Sequence, residues 1–205
     1  MQSPTFFRSI NISVPRGKIY RRMGYRKGVT RIEEERKREI EDAIEYALFL
    51  IHLKGSAVRI PIERIGQFNI ALSQGIVFES RDLARMLKGC AEALLMGATA
   101  GKDIMDAIEN DSKSNQLTRG VVLDAVASEM VDASLDWIAD YFNNQLLRDN
   151  RRLTRKRFSA GYGDFLLENQ KIMYDVLELK TLGVELTESC ILVPEKSVTA
   201  VAGII

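Results

Sequence analysis

The chain has 205 residues, 46% hydrophobic and 28% charged, which is enough apolar material for a substantial folded core. Lys and Arg total 29 against 28 Asp and Glu, so a formal net charge of +1 predicts neither a nucleic-acid nor an anionic-membrane partner. Two cysteines and one histidine exclude a disulfide framework and a Cys/His zinc site. No apolar run resembles a leader or a spanning helix, so the sequence predicts a reduced, soluble, cytoplasmic protein.

Residues 1–30 are strongly basic. They carry no acidic residue, and prolines and glycines interrupt their seven cations, which are Arg8, Arg16, Lys18, Arg21, Arg22, Arg26 and Lys27. We expect an extended basic arm, followed by one domain over residues 31–205. The arm is either a docking surface for an acidic partner or for phosphates, or a solvated lead-in to the fold.

The next predicted elements are a helix and several short strands. Thr30 and Glu33 have the spacing of a capping box, apolar residues then recur at helical spacing, and Gly55 supplies a stop. These signals predict a first helix over residues 31–54. Shorter periods predict strands, the first of which would be an edge strand because it contains Pro61. The predicted strands are 57–62, 68–72 and 76–78.

The second half of the chain is predicted to be mainly helical before it ends in strands. Ser80 is expected to cap a short helix, and an apolar stripe predicts a long helix over about 116–150. Asp164 is a candidate cap for a later helix, and alternation after Gly183 predicts two final strands. Strands and helices in this order do not alternate regularly, which predicts an α+β fold with a twisted antiparallel sheet rather than a doubly wound one.

Two glycine-containing segments do not match the nucleotide-binding motifs that they suggest. Residues 97–103 have three residues between their glycines, where a Walker A loop has four, and Asp103 where that loop has Ser or Thr. Residues 161–163 lack the third glycine of a dinucleotide fingerprint. The single histidine, His52, makes a Ser/His or Cys/His mechanism improbable.

The segment from Arg157 to Tyr162 has residue types suited to an amino-acid or nucleoside ligand. Arg157 offers a planar fork for a carboxylate, Gly161 lets the backbone approach a flat ligand, and Tyr162 adds an aromatic face. The alternative is that these residues end a basic loop, make a turn and pack against neighbours. Asp132 on the long helix fits either a solvated carboxylate or one side of a ligand groove.

A longer ordered pattern extends this segment. Residues 157–162 are followed by Leu-Gly-Val-Glu-Leu-Thr-Glu-Ser at 182–189 and by Pro194, Ser197 and Val198. In order and content this resembles the C-terminal activation domain of cobalamin-dependent methionine synthase, over about 157–200. The resemblance implies a twisted antiparallel sheet flanked by helices, with a shallow groove for S-adenosylmethionine. It also implies docking on a corrinoid, so that cob(II)alamin can be remethylated once it is reduced.

The resemblance assigns roles to single residues. It implies that Arg157 holds the ligand carboxylate, that Ser159, Gly161 and Tyr162 form the loop against the nucleoside, and that Asp132 pairs with the ligand ammonium. The family usually has proline and a histidine-bearing loop after Gly-Tyr, whereas this chain has Gly-Asp-Phe at 163–165. No motif matches residues 1–115, so ligand contacts from that half stay unassigned.

The resemblance implies a freestanding reactivation module that acts in trans. Its partner would be methionine synthase or another corrinoid protein, which would supply cobalamin, and its electrons would come from a flavodoxin-like reductant. The alternative is a non-catalytic module that docks on a corrinoid protein and has lost ligand binding. An ordinary methyltransferase conflicts with the missing glycine-rich strand-turn-helix signature, and an RNA-binding module conflicts with the near-neutral charge.

Overall fold

The computed structural model describes residues 3–26 and 28–205 and has an α+β fold, in which a curled antiparallel sheet is flanked by helices. The predicted fold class is therefore confirmed. The strands are β1 (Thr5–Phe7), β2 (Lys54–Ile65), β3 (Asn69–Leu72), β4 (Ile76–Glu79), β5 (Glu92–Thr99), β6 (Glu185–Leu186), β7 (Leu192–Val193) and β8 (Ser197–Ile204). The helices are α1 (Arg16–Arg22), α2 (Glu34–Leu50), α3 (Arg81–Met86), α4 (Asp103–Lys113), α5 (Leu117–Leu146) and α6 (Gln170–Val176).

The main sheet separates two apolar cores. Its strand order is β4-β3-β2-β5-β8, with β1 beside the first part of β2, while β6 and β7 form a separate hairpin. Side chains alternate along β8, so that Ala200 and Ala202 face the core built by α2, α4 and α5, and Val201 faces the core that includes α3 and α6. Because both faces of the sheet are covered, β5 is buried almost throughout, and its sequence is a nearly continuous apolar run.

The segment predicted as an extended arm instead contains β1 and α1. Phe7 pairs in register with Gly55 of β2, and the side chains of Ile10 and Ile19 are buried in the core. Apolar burial therefore orders this segment, and its cations lie on the outside, where Arg16 binds Glu45 at 2.5 Å. The charges and prolines of this segment suggest an arm, but its apolar side chains decide the structure. Met1, Gln2 and Lys27 of the predicted arm lie outside the described residues.

The first long helix is shorter than predicted, because α2 ends at Leu50 and the chain then enters β2. The predicted capping box does not form: Thr30 Oγ1 accepts a hydrogen bond from the Arg26 backbone N–H at 3.0 Å, and Glu33 makes no cap bond. Gly55 does not stop a helix but lies within β2. A Cβ atom there would lie 2.7 Å from Ile138 Cδ1, so this position requires glycine for close packing against α5.

Pro61 lies within an interior strand, so the edge-strand prediction for 57–62 is wrong. Pro61 stands opposite Glu92 of β5, and the neighbouring Ile62 N–H donates to the Ala91 carbonyl at 2.9 Å. Backbone groups alternate in direction along a strand, so the proline nitrogen faces the other side of β2. On that side the pairing of β2 with β1 stops at Ala57 and its pairing with β3 starts only at Ile62, so the N–H that proline lacks would have had no strand partner.

Two helix predictions agree with the structure and one does not. Ser80 caps α3, because its Oγ accepts a hydrogen bond from the Leu83 N–H at 2.9 Å, and α5 occupies most of the predicted long helix. Asp164 does not cap the following helix α6; its carboxylate accepts the Arg81 N–H at the start of α3 at 2.7 Å. No helix in the described part of the chain is long and apolar enough to cross a membrane.

Candidate functional site

The loop that carries the predicted ligand residues is attached to the outer strand β8. Before the loop, Thr154 N–H donates to the Gly203 carbonyl at 2.8 Å. Phe158 and Val201 exchange two backbone hydrogen bonds, of 2.9 and 2.8 Å. The segment therefore runs antiparallel beside β8 and covers its outer edge, which fixes the position at which Arg157 and Ser159 leave the sheet.

The loop closes on itself and is anchored by one aromatic side chain. Gly161 N–H donates to the Phe165 carbonyl at 2.7 Å, and Phe165 N–H donates to the Tyr162 carbonyl at 3.0 Å. The Phe165 ring is fully buried and meets Phe78 edge-on, with ring centroids 5.3 Å apart. Gly161 has φ +88°, a conformation that side chains with a Cβ rarely adopt, so this turn depends on glycine.

Arg157 lies on the α5 side of the loop, where it meets two carboxylates. Its Nη2 lies 2.6 Å from Asp132 Oδ1, and its Nη1 contacts Asp136. Burial alone would lower the pKa of the Arg157 guanidinium, but the hydrogen bonds and charges of Asp136 and Asp132 outweigh this and raise the pKa. The structure thus brings together Arg157 and Asp132, which the resemblance assigns to opposite ends of one ligand, and joins them directly to each other.

Asp132 and Asp136 belong to a polar stripe along α5 that continues one turn at a time toward its N-terminus. Ser128 accepts a hydrogen bond from Lys196 Nζ at 3.0 Å, and the same ammonium lies 2.6 Å from Asp124 Oδ1. Of these four side chains, only Asp132 is predicted from the sequence as a site residue. A spacing of four residues places side chains on the same helix face, so this rule could have found the other members of the stripe.

Ser159 and Tyr162 line a separate cleft of about 250 Å³ at the edge of β8. Its wall includes Gln170 and Thr199, both buried, and the Thr199 hydroxyl donates to Gln170 Oε1 at 2.9 Å. The Tyr162 side chain is 69% exposed and lies at the rim. The cleft therefore offers a polar buried pair and an exposed aromatic ring, a combination that suits the flat, polar base of a nucleoside. Arg157 and Asp132 do not line it.

The predicted site residues thus form two groups. Arg157 with Asp132 can hold the charged ends of an amino acid, provided that one carboxylate of the chain gives way to that of the ligand. Ser159 and Tyr162 can hold a nucleoside, and Gly161 shapes the turn between them. Among residues 3–26 and 28–205, no group of three or more His, Cys, Asp or Glu side chains is arranged to hold a metal ion.

These features define the chain as an α+β protein with a curled antiparallel sheet and a candidate ligand loop beside its outer strand. No protein-family model matches the chain, and no curated protein matches it in sequence. Its structure is similar to the crystal structure of the MetH reactivation domain bound to AdoHcy, with a TM-score of 0.69. The alignment covers 98% of this chain and 78% of that chain at 15% identity. The two proteins therefore share a fold.

Proposed function

We propose that this chain is an S-adenosylmethionine-binding reactivation module that acts in trans on a cobalamin-dependent methyltransferase, with methionine synthase as the first candidate. The main support for this proposal is the structural similarity to the MetH reactivation domain bound to AdoHcy, which extends over 98% of this chain. AdoHcy is S-adenosylmethionine without its transferable methyl group. The R-x-x-x-G-Y segment, in which the sequence resembles that family, forms a single ordered loop beside β8 and supports the same ligand class.

The chain's own residues would act by holding and orienting the ligand. Arg157 would bind the ligand carboxylate in place of Asp136, and Asp132 would then pair with the ligand ammonium. Ser159 and Tyr162 would contact the nucleoside in the cleft at the edge of β8. S-adenosylmethionine supplies a methyl group already activated by its sulfonium, so the contribution of this chain would be positioning. Cobalamin would come from the partner, and electrons from a flavodoxin-like reductant.

Calorimetric titration with S-adenosylmethionine tests the first half of this proposal. We expect saturable binding that Arg157→Ala weakens by about ten- to a hundredfold, since a hydrogen bond to a charged group contributes about 1.5–3 kcal/mol. Arg155→Ala is the matched control, because Arg155 is an exposed cation of the same basic segment with no ion pair among the described residues. Equal effects of the two substitutions would contradict the assigned role of Arg157.

A reactivation assay tests the second half. The chain is added to an oxidised methionine synthase that lacks its own activation domain, together with reductant and S-adenosylmethionine. We expect turnover to return with wild-type protein and to return poorly with Arg157→Ala. Absence of rescue by the wild-type chain would reject the trans reactivation role for this partner.

The second candidate is a docking module for a corrinoid protein that no longer binds the ligand. One observation favours it: the guanidinium that should hold a ligand carboxylate already contacts two carboxylates of the chain and is only 25% exposed. Co-purification with a corrinoid protein, combined with no heat of binding for S-adenosylmethionine, would select this candidate over the first.

A further inference from the structure

A second, larger cleft is lined by no residue of the ligand loop, and its charged lining is mainly basic. It has a volume of about 640 Å³ and shares no lining residue with the cleft beside β8. Three chain segments form most of its wall, namely residues 8–12, 51–54 and 99–103. We call it the basic cleft, after its cations Arg8, Lys54 and Lys102, which His52 accompanies.

Backbone hydrogen bonds hold these three segments together. Ile10 N–H donates to the Leu53 carbonyl at 3.0 Å, and His52 N–H donates to the Ala100 carbonyl at 2.9 Å. Gly101 has φ +90°, a conformation that residues with a Cβ rarely adopt. The glycine thus lets the third segment turn close beside the second. The cations consequently extend from fixed backbone, so little backbone ordering remains for a ligand to bring about.

The charges of the basic cleft are not neutralised within the described structure. Among the described residues, no carboxylate lies within 4.0 Å of the charged ends of Arg8, Lys54 or Lys102. The one acidic side chain in the lining, Asp103, faces His52, with 3.4 Å between its Oδ2 and His52 Nε2. Three cations and one carboxylate in one concavity leave a net charge of +2 with His52 neutral, which creates a positive local potential although the whole chain carries a net charge of only +1.

We infer that the basic cleft binds a small molecule that carries a phosphate or diphosphate group. Lysine and arginine are the usual partners of phosphate oxygens, and three of them match a multivalent anion better than a single carboxylate. Apolar side chains of the lining, such as Ile12, Leu48 and Leu182, can cover an organic part of the ligand. The segment 97–103, which lacks the spacing of a Walker A loop, thus contributes Gly101 and Lys102 to an anion site of a different design.

Calorimetric titration with inorganic pyrophosphate at low ionic strength tests this inference. We expect saturable binding of one equivalent, weakened at least tenfold by the double substitution Lys54→Gln/Lys102→Gln. Lys37→Gln/Lys88→Gln is the matched control, because both lysines are exposed, unpaired among the described residues and outside the cleft. Added salt should weaken binding to the wild-type chain, since exposed charges are screened.

Several outcomes would overturn the inference. These are no saturation up to about 10 mM pyrophosphate, an equal loss in the control pair, or displacement of pyrophosphate by S-adenosylmethionine. Circular dichroism checks that each variant is folded. If the double variant is unfolded, Arg8→Gln replaces it in the test, because the Arg8 side chain is exposed. Arg157→Ala should leave pyrophosphate binding unchanged, so this test is independent of S-adenosylmethionine binding.

Discussion

The carboxylate of Asp164 accepts a hydrogen bond from the hydroxyl of Ser80 at 2.5 Å, across 84 positions of the chain. The same hydroxyl accepts the Leu83 N–H at 2.9 Å, so Ser80 links the start of α3 to the candidate ligand loop. The hydrogen bond from Ser80 is the largest influence on the pKa of Asp164 and lowers it; desolvation opposes this, and the backbone N–H groups of Arg81 and Asp82 lower the pKa further. The residue that departs from the family pattern after Gly-Tyr therefore fastens the loop to the fold.

Ser80→Ala should destabilise the protein, because it removes both the helix cap and the link to Asp164. The loss of a serine cap costs about 0.5–2 kcal/mol, so we expect a decrease of about 1 kcal/mol or more in the free energy of unfolding. Urea unfolding followed by circular dichroism measures it. Ser112→Ala is the control, since Ser112 is an exposed serine inside α4, and we expect its effect to stay within about 0.5 kcal/mol. Equal stability of Ser80→Ala and wild type would reject the capping role.

The Ser80 pair also illustrates what the sequence could and could not predict. The cap itself is a local signal, because Ser80 directly precedes its helix, and the apolar stripe of α5 is equally local. The partner of the cap was not predictable, since Asp164 reaches it only once the chain has folded. The edge-strand prediction from Pro61 failed for the same reason, because the effect of this proline depends on which residues of β2 are paired with β1 and β3.

The candidate site also contains residues that the sequence predicts and residues that it does not. Arg157 and Asp132 were chosen from the sequence and meet at 2.6 Å, although their ligand roles stay predictions. Asp136, one turn further along α5, is marked only by its four-residue spacing from Asp132, because a solvent-facing acid on a helix is common and carries no signal of its own. The basic cleft was not predictable, since its cations come from segments more than forty residues apart that only the sheet brings together.

Glu92→Gln should destabilise the protein in a pH-dependent way. The Glu92 carboxylate receives two 2.9 Å hydrogen bonds from Arg59 and a 2.5 Å contact from Arg151. Burial alone would raise the pKa of Glu92, but the two guanidinium groups hold it below its ordinary value. A carboxyl group whose pKa is lower in the folded state stabilises the fold above its unfolded pKa, and this is lost as the pH falls through the folded pKa.

We therefore expect Glu92→Gln to lower the free energy of unfolding by about 1–3 kcal/mol at pH 7. The difference from wild type should shrink as the pH falls below the unfolded glutamate pKa of about 4.3. Urea unfolding at a series of pH values measures this. Glu63→Gln, on an exposed residue of β2 with no ion pair among the described side chains, should show no such trend. A difference that is constant with pH would contradict the ion-pair explanation.

Two glycine-to-alanine substitutions should change stability in opposite directions. A Cβ at Gly203 in β8 would clash with Cys90 Sγ and lie 3.0 Å from Leu87 Cδ2, so Gly203→Ala should cost about 1–3 kcal/mol. Gly17 lies within α1 with open space around the position of a Cβ. Gly17→Ala should raise the free energy of unfolding by about 0.5–1 kcal/mol, because alanine has a higher helix propensity than glycine. Thermal unfolding would resolve both, at about 2–4 °C per kcal/mol for a chain of this size. Destabilisation by Gly17→Ala would contradict the geometry of α1.

Asp136→Asn should strengthen S-adenosylmethionine binding if the proposed function is correct. Asp136 contacts the Arg157 guanidinium and also lies 3.5 Å from Lys18 Nζ, so it competes with a ligand carboxylate for the same cation. Removing its charge should raise the affinity by about three- to tenfold, a change of about 0.7–1.4 kcal/mol. Asp132→Asn should instead lower the affinity, because it removes the partner of the ligand ammonium.

The opposite signs of these two substitutions separate the competitor from the ligand contact. Asp140→Asn, one turn beyond Asp136 on α5 and exposed, is the matched control and should leave the affinity unchanged. Calorimetric titration of the three variants at one ionic strength makes the comparison. If Asp136→Asn weakened binding as much as Asp132→Asn, Asp136 would be a ligand contact and not a competitor. If all three variants bound like wild type, the carboxylate of the ligand would lie elsewhere than at Arg157.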